Sequence, residues 1–185
     1  DFRRLPVVEK DKLVGWITEN DLRQVAPSSA TTLSVYEVNY LLAKLKISDV
    51  MKKDIISVHV DAPIEEAALL MLHHKIGGLP VLDDKEKLVG VITETDLFKA
   101  VLDLSGVGTG DATTRFTLTA TDQVGLLEAL GGLFARKGMS IFSLSSYTDP
   151  SGKAHMILRV EGDHEKAIEA IPDIKNLGVE VVAVH

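Results

Sequence analysis

Residues 79–97, LPVLDDKEKLVGVITETDL, repeat residues 5–22, LPVVEKDKLVGWITENDL, with one residue added in the central turn. The copies are about 75 residues apart, and self-similarity at a fixed spacing indicates two supersecondary units that pack on each other. A pair of units related by a pseudo-dyad is typical of a binding architecture rather than a catalytic one. The repeat therefore decides the fold of the first half of the chain.

The composition limits the class of protein. The chain has 185 residues, of which 45% are apolar and 25% charged, and its formal net charge is -7. These values are ordinary for one globular domain or two small ones, and the negative charge argues against nucleic acid as a partner. Cysteine is absent, which excludes disulfides and thiolate chemistry. Apolar runs fall far short of the ~20 residues of a membrane span, so we expect a cytoplasmic protein with no membrane contact.

The second copy is complete and sets the pattern of elements. It predicts a strand over 54–60, a helix from Ile64, strands over 79–82 and 88–92, and a helix over 94–104. The first copy begins at its Leu-Pro element, so we expect the natural chain to extend upstream of it. The predicted boundaries are a partial first unit over 1–26, a connecting segment and helix over 27–46, and a second unit over 47–104.

The composition of the chain changes after the second unit. Gly106–Asp111 has no apolar period, and we predict a flexible linker over 105–114. A glycine-rich phosphate loop is the alternative, but it needs a strand before it and a helix after it. Residues 115–185 then predict a βαββαβ order, with a helix over 163–171, which is typical of a ferredoxin-like layer of helices on one antiparallel sheet. The whole chain is thus predicted to be of the α+β or α/β class.

Two strand-to-helix corners carry the candidate chemistry. Thr18 and Asp21 form one corner, and Thr93 and Asp96 form the other. A Thr three residues before an Asp is a capping box, which stabilises a helix start without any ligand. Alternatively, the carboxylate accepts from the vicinal hydroxyls of a ribose, and a phosphate lies near the hydroxyl and the helix amides. The two roles are compatible.

The duplicated Gly-x-Ile-Thr-x-x-Asp element, preceded by Leu-Pro-Val, resembles the cystathionine β-synthase (CBS) domain, and the duplication over 1–104 resembles the CBS pair, or Bateman module. The resemblance implies an adenosine-type ligand: AMP, ADP, ATP or S-adenosylmethionine. It implies phosphate and ribose contacts from four residues, Thr18, Asp21, Thr93 and Asp96. It implies base contacts from the first strand and the Leu-Pro element, namely Ile55, Ile56, Gly78, Leu79 and Pro80.

The two sites are not predicted to be equivalent. Arg3 and Arg4 precede the first Leu-Pro element, where the second copy has glycines. The guanidinium of Arg4 suits a phosphate, although solvation at the surface explains most charged residues. Trp16 replaces Val91, and it is suited to stack on a base, although core or interface packing is the commoner role of such a residue.

Residues 115–185 resemble an ACT domain. Two landmarks carry the resemblance, Asp122-x-x-Gly125-Leu126-Leu127 and Gly138-Met139-Ser140-Ile141, with Ser140 where Asn is usual. In relatives that bind amino acids these landmarks hold the ligand at a dimer interface, which implies an effector site of Asp122, Val124, Gly125, Leu126, Ser140 and Ile141. A tight turn and a helix start explain the same residues without a ligand.

The order CBS, CBS, ACT resembles bacterial acetoin-utilisation accessory proteins. The resemblance implies a homodimeric, non-catalytic sensor, in which the ACT domain is a relay or a second small-molecule site. His73 and His74 are adjacent on a helix and point about 100° apart, and no nucleophile and base pair stands out. The sequence therefore predicts no metal, no cofactor and no catalytic residue. The alternatives are an inert assembly module with vestigial sites and, less favoured, a nucleotide-hydrolysing enzyme.

Overall fold

The structure, a computed structural model, describes residues 3–26, 32–107 and 113–185. The chain divides into two compact units, Asp1–Leu97 and Phe98–His185. The predicted connecting segment and the predicted glycine-rich linker lie in part outside the described residues, at 27–31 and 108–112.

The first unit contains the sequence repeat. Its elements are β1 (Arg4–Glu9), β2 (Lys12–Thr18), α1 (Glu19–Val25), α2 (Val35–Lys44), α3 (Ile47–Val50), β3 (Val58–His59), α4 (Ile64–His74), β4 (Gly78–Leu82), β5 (Leu88–Thr93) and α5 (Glu94–Ser105), which continues beyond Leu97.

Both copies fold their repeated sequence into the same antiparallel hairpin. β1 pairs with β2, and β4 pairs with β5. The register shifts at equivalent points, between Val7 and Val8 in one hairpin and between Val81 and Leu82 in the other. A bulge of this kind increases the local twist of a strand. Its recurrence shows that the tandem CBS-like pattern in the sequence corresponds to a structural duplication.

The predicted strand over 54–60 is wrong in length. Only Val58–His59 are in strand conformation, where β3 pairs in parallel with β4 at Val81 and Leu82. The residues before Val58 have no strand assignment, although Ile55 and Ile56 are half-buried. Alternation of apolar residues thus reports burial here rather than pairing, because these side chains line a cavity instead of a sheet face.

The second unit is a mixed α and β structure. Its further elements are β6 (Thr113–Thr121), α6 (Leu126–Arg136), β7 (Ser140–Thr148), β8 (Lys153–Glu161), α7 (His164–Ile168), α8 (Ile171–Asn176) and β9 (Glu180–Val184). The strands form one sheet in the order β7-β8-β6-β9 with antiparallel neighbours. The predicted helix over 163–171 is shorter than expected and is followed by a second one, because Pro172 lacks the N–H that a continuous helix needs.

The two units differ in the size of their cores. The second unit has a large apolar core around the rings of Phe116 and Phe134, whose centroids are 5.7 Å apart. The first unit has a small cluster of Val58, Ala67, Met71 and Leu79. None of the helices in the described ranges combines the length and the apolar character that a membrane crossing requires.

Candidate functional site

The first unit has a cavity of about 350 Å³ between the two copies of the repeat. Its apolar lining comes from Trp16, Ile55, Ile56 and Ile76, and the backbone of Gly77–Gly78 also lines it. Trp16 is 8% exposed, so its ring is part of the packed interior beside the cavity. A space of this volume and lining suits a small organic molecule with a flat apolar part.

Charged side chains line the same cavity in an unequal balance. Four cations and two carboxylates are present: Arg3, Arg4, Lys52 and Lys75, against Glu19 and Asp54. The cavity therefore has a local surplus of positive charge in a chain whose net charge is -7. Guanidinium and ammonium groups are the usual partners of phosphate in proteins. The cavity thus fits a ligand with an apolar part and an anionic part.

Arg4 lies across the Gly77–Gly78 backbone. A Cβ atom at Gly77 would overlap the Arg4 guanidinium and would lie 2.7 Å from Glu94 Oε2. A Cβ atom at Gly78 would lie 3.2 Å from Arg4 Cδ. The glycines therefore make room for the arginine. Arg4 and Gly77 also line a neighbouring cavity of about 600 Å³, so they form a wall that the two cavities share.

The corner at Thr18 contains a complete capping box. Asp21 Oδ2 accepts from the Thr18 amide at 2.8 Å and from the Thr18 hydroxyl at 2.6 Å, and the Asp21 amide donates back to Thr18 Oγ1 at 3.2 Å. Burial alone would raise the pKa of Asp21, but the Thr18 hydrogen bonds and Lys52 outweigh it, so the pKa lies below its usual value. Asp21 is 8% exposed and is ionised at neutral pH.

Lys52 pairs with the other oxygen of that carboxylate. Its Nζ lies 3.3 Å from Asp21 Oδ1, and its side chain is 64% exposed while that of Asp21 is 9% exposed. The backbone of Lys52 is fixed, since its amide donates to the Trp16 carbonyl at 2.8 Å and its carbonyl accepts from the Trp16 amide at 2.9 Å. Lys52 thus pairs with a buried carboxylate and also lines the cavity.

The corner at Thr93 has the same local hydrogen bonds in a more open setting. Asp96 Oδ2 accepts from the Thr93 amide at 2.8 Å and from the Thr93 hydroxyl at 2.6 Å, and the Asp96 amide donates to Thr93 Oγ1 at 3.4 Å. Asp96 is exposed, in contrast to Asp21. Thr93 lines the larger cavity together with Arg3 and Arg4.

The predicted nucleotide-binding residues divide into three groups. Five line the smaller cavity, namely Arg4, Thr18, Ile55, Ile56 and Gly78. Arg4 and Thr93, the cross-strand partner of Gly78, line the larger one. The remaining four line neither cavity: Asp21 is buried and hydrogen-bonded to Thr18, Leu79 and Pro80 are buried in β4, and Asp96 is exposed.

Sequence reasoning missed two cations of the smaller cavity. Lys52 follows the short helix α3, and Lys75 ends α4 in the left-handed conformation with φ 53°. Nothing in the sequence marks Lys52, because its importance depends on a long-range bridge to Trp16. Lys75 stands two residues before Gly77, and a cation beside a glycine pair is a signal that the sequence did offer.

The second unit has its own cavity, of about 440 Å³, beside the turn that follows β6. Asp122, Gly125 and Leu126 of the predicted effector site line it, whereas Val124 is fully exposed. Ser140 and Ile141 do not line it. β6 and β7 both run antiparallel to β8, so they are parallel to each other, and Ser140 begins β7 at the end of the sheet away from the turn. One chain therefore does not bring the two predicted landmarks together.

Comparison with known proteins gives a consistent family. The family model described as CBS domain matches residues 1–28 and 47–103. A CBS domain-containing protein of Dictyostelium discoideum is 38% identical over 102 residues, which are 55% of this chain and 70% of that protein. Protein MJ1225 of Methanocaldococcus jannaschii is 33% identical over 99 residues, which are 53% of this chain, and the match spans only 35% of that protein.

Solved structures also resemble the chain. The CBS domain pair of protein MJ0100, in complex with 5'-methylthioadenosine and S-adenosyl-L-methionine, is 29% identical and covers 54% of this chain and 69% of that chain, with a TM-score of 0.41.

Among the described residues, no group of three or more His, Asp and Glu side chains is placed to hold a metal ion.

Proposed function

Because the chain belongs to the CBS-domain family, we propose that it is a non-catalytic regulatory protein that binds an adenosine-type ligand between its two CBS units. The observation that carries the proposal is the cavity of about 350 Å³, in which an apolar lining and a surplus of cations meet beside the Thr18 corner. The candidate ligands are AMP, ADP, ATP and S-adenosylmethionine.

The lining supports a division of the ligand among the residues. The adenine packs against Ile55 and Ile56 and approaches the Gly78 backbone closely. The ribose hydroxyls are held at the corner of Thr18 and Asp21. Arg4 binds the phosphate, with Arg3 and Lys75 nearby. An apolar wall for the base and a few placed polar groups for orientation are the usual composition of such sites.

The larger cavity is a second candidate site of the same kind. It is lined by Thr93 and by the shared residues Arg3 and Arg4, which supports ligand contacts from the second corner. The proposal assigns Thr93 and Asp96 to phosphate and ribose there. Leu79 and Pro80, which are buried in β4, position the backbone beside both cavities rather than offer side-chain surface.

Regulation follows if ligand binding changes the packing of the two CBS units. A ligand shifts such an equilibrium only by its differential affinity for the two arrangements. Arg4 is suited to transmit the change, because it lies over Gly77 and lines both cavities. We propose that the chain acts as a homodimer, and the exposed apolar side chains of α4, Leu69 and Leu72, support a partner surface.

For the second unit we propose an ACT domain that relays the signal or binds a second small molecule such as an amino acid. The four-stranded order β7-β8-β6-β9, with helices after β6 and β8, supports a ferredoxin-like layer. The cavity lined by Asp122 and Gly125 supports a ligand at this turn, and a dimer is needed to bring Ser140 to it. The CBS, CBS, ACT order is also the basis for a proposed link to acetoin utilisation.

Thermal and chemical unfolding with each candidate ligand tests the proposal. A ligand at about 100 times its Kd should raise the free energy of unfolding by about 2.7 kcal/mol. Ile55→Glu, which places a carboxylate on the apolar wall, should abolish the effect, whereas the control Val60→Glu, at an exposed position outside the cavity, should retain it. The absence of a shift with all four ligands would instead favour an inert assembly module.

The non-catalytic part of the proposal has a separate test. The purified chain is incubated with ATP and Mg²⁺, and the products are separated by ion-exchange chromatography. We expect no turnover. Turnover that disappears in the Ile55→Glu variant would show that the cavity is an active site.

A further inference from the structure

Lys52 pairs with the carboxylate of Asp21 and also lines the cavity in which the ligand is proposed to bind. Its ammonium lies 3.3 Å from Asp21 Oδ1, while the other carboxylate oxygen, Oδ2, accepts both Thr18 hydrogen bonds. Asp21 itself does not line the cavity, whereas Lys52 does. A ribose hydroxyl that approaches Oδ1 therefore meets an oxygen with which the ammonium is already paired.

From this arrangement we infer that Lys52 is a specificity-determining residue that exchanges partners when the ligand binds: a ribose hydroxyl replaces its ammonium on Asp21 Oδ1, and the ammonium moves to the phosphate of the same ligand. The inference rests on the proposed function of this cavity. It narrows the ligand class to nucleotides with a phosphate group, and it makes the ion pair of Lys52 and Asp21 the resting state of the site.

The exchange keeps every charge compensated. A buried carboxylate that loses a hydrogen-bond donor pays a desolvation penalty, but the entering hydroxyl donates in place of the ammonium. Lys52 leaves one anion and meets another. Its side chain is 64% exposed, so the ammonium itself is partly hydrated while it is paired with Asp21.

Only the side chain of Lys52 has to move. Its backbone is held by two hydrogen bonds to Trp16, at 2.8 and 2.9 Å, and four rotatable bonds carry the ammonium from that fixed point. A ligand without an anionic group has no group with which the displaced ammonium can form an ion pair. Such a ligand must compete with Lys52 for Asp21, whereas a nucleotide recruits Lys52.

Titration calorimetry with AMP and with adenosine, which differ only by the phosphate, tests the exchange. In the Lys52→Met variant the affinity for AMP should fall by about tenfold, as for the loss of one charge-assisted hydrogen bond, and the affinity for adenosine should stay or rise. Lys52→Arg should restore the preference for AMP. Lys53→Met, a neighbouring lysine outside the cavity lining, is the matched control and should bind both as the parent chain does.

The outcomes separate the inference from the proposed function. If the parent chain binds AMP and Lys52→Met binds AMP and adenosine as tightly as the parent does, the exchange is overturned and the nucleotide site remains. An equal fall in both affinities also overturns it, since Lys52 would then only support Asp21. If the parent chain binds neither compound, the proposed function fails. The melting temperature of each variant is measured alongside; Lys52→Met should melt somewhat below the parent, because the Asp21 carboxylate, 9% exposed, loses its cation, whereas Lys52→Arg and Lys53→Met should match it.

Discussion

The two corners of the repeat have the same local structure and different surroundings. Thr18 and Asp21 make hydrogen bonds of 2.8, 2.6 and 3.2 Å, and Thr93 and Asp96 make bonds of 2.8, 2.6 and 3.4 Å. Asp21 is nevertheless 8% exposed, whereas Asp96 is exposed. The difference shows that a motif fixes its own hydrogen bonds, while the segments packed around it decide how it can meet a ligand.

The segment that follows α3 packs on the first copy of the repeat, where Lys52 pairs with Asp21. Lys52 bridges to Trp16 of β2 through two backbone hydrogen bonds, and Met51 packs against Gly15 of the same strand. At the equivalent glycine of the second copy, Gly90, the nearest atom to an added Cβ is Val81 Cβ at 3.9 Å. Two glycines of the same sequence element therefore have different reasons to be glycine.

Substitution of these glycines should give the largest difference in the free energy of unfolding between the two copies. A Cβ at Gly15 would overlap the Met51 side chain, so Gly15→Ala should lower the free energy of unfolding by up to about 3 kcal/mol, as for an overpacked site. Gly90→Ala makes an ordinary van der Waals contact and should change it by less than about 0.5 kcal/mol. Urea unfolding measures both. Equal losses in the two variants would contradict the assigned role of Met51.

Substitution of the two aspartates should give the next largest difference in the free energy of unfolding. Asp21→Ala leaves two half-buried donors of Thr18 without their acceptor, and should cost about 2 kcal/mol of stability. Asp96→Ala removes the same cap from an exposed corner and should cost about 1 kcal/mol. Calorimetric unfolding of the two variants tests the ranking. A larger loss for Asp96→Ala would show that burial does not strengthen the first corner.

Acid should remove the contribution of the ionised Asp21 carboxylate to the stability of the fold. Its pKa is lower in the folded chain than in the unfolded chain, so its ionisation stabilises the fold above the unfolded pKa of about 3.9, and this contribution is lost as the pH falls through the lower folded pKa. The difference in unfolding free energy between the parent chain and Asp21→Asn should be constant above about pH 5 and should shrink below about pH 4. A difference that does not change with pH would contradict the ionic role of Asp21.

The smallest expected effect is optical. Trp16 is the single tryptophan of the chain and lines the smaller cavity, so its fluorescence should shift by a few nanometres or be quenched when AMP binds. Amino acids that bind the second unit should leave it unchanged. The Val91→Trp, Trp16→Val double variant moves the probe to the equivalent position of the second copy, which lines the larger cavity. Comparing the two chains shows which cavity fills first.

Much of the fold could be predicted because its signals are local. The repeat predicted both hairpins, and alternation and helical spacing predicted the order of strands and helices in the second unit apart from one extra helix. The failures have local causes too: Pro172 interrupts the helix expected over 163–171, and Ile55 and Ile56 mimic a strand while lining a cavity.

The candidate site was only partly within reach of the sequence. Arg4, Thr18, Ile55, Ile56 and Gly78 were all anticipated and lie around one cavity. Lys52 was not, since a lysine after a short helix carries no signal of its own. Ser140 and the turn at Gly125 were expected together, but the parallel course of β6 and β7 places them at opposite ends of the sheet.

The sequence by itself determined the duplication, the capping hydrogen bonds at Thr18 and Thr93, and the family, because each depends on residues close together in the chain. The tertiary structure decided that Asp21 is buried and paired with Lys52 while Asp96 is exposed, and that Arg4 lies over Gly77 and lines two cavities. Burial and charge pairing depend on contacts between segments that are distant in sequence. The sequence of one copy of the repeat therefore does not determine its burial or its charge partners.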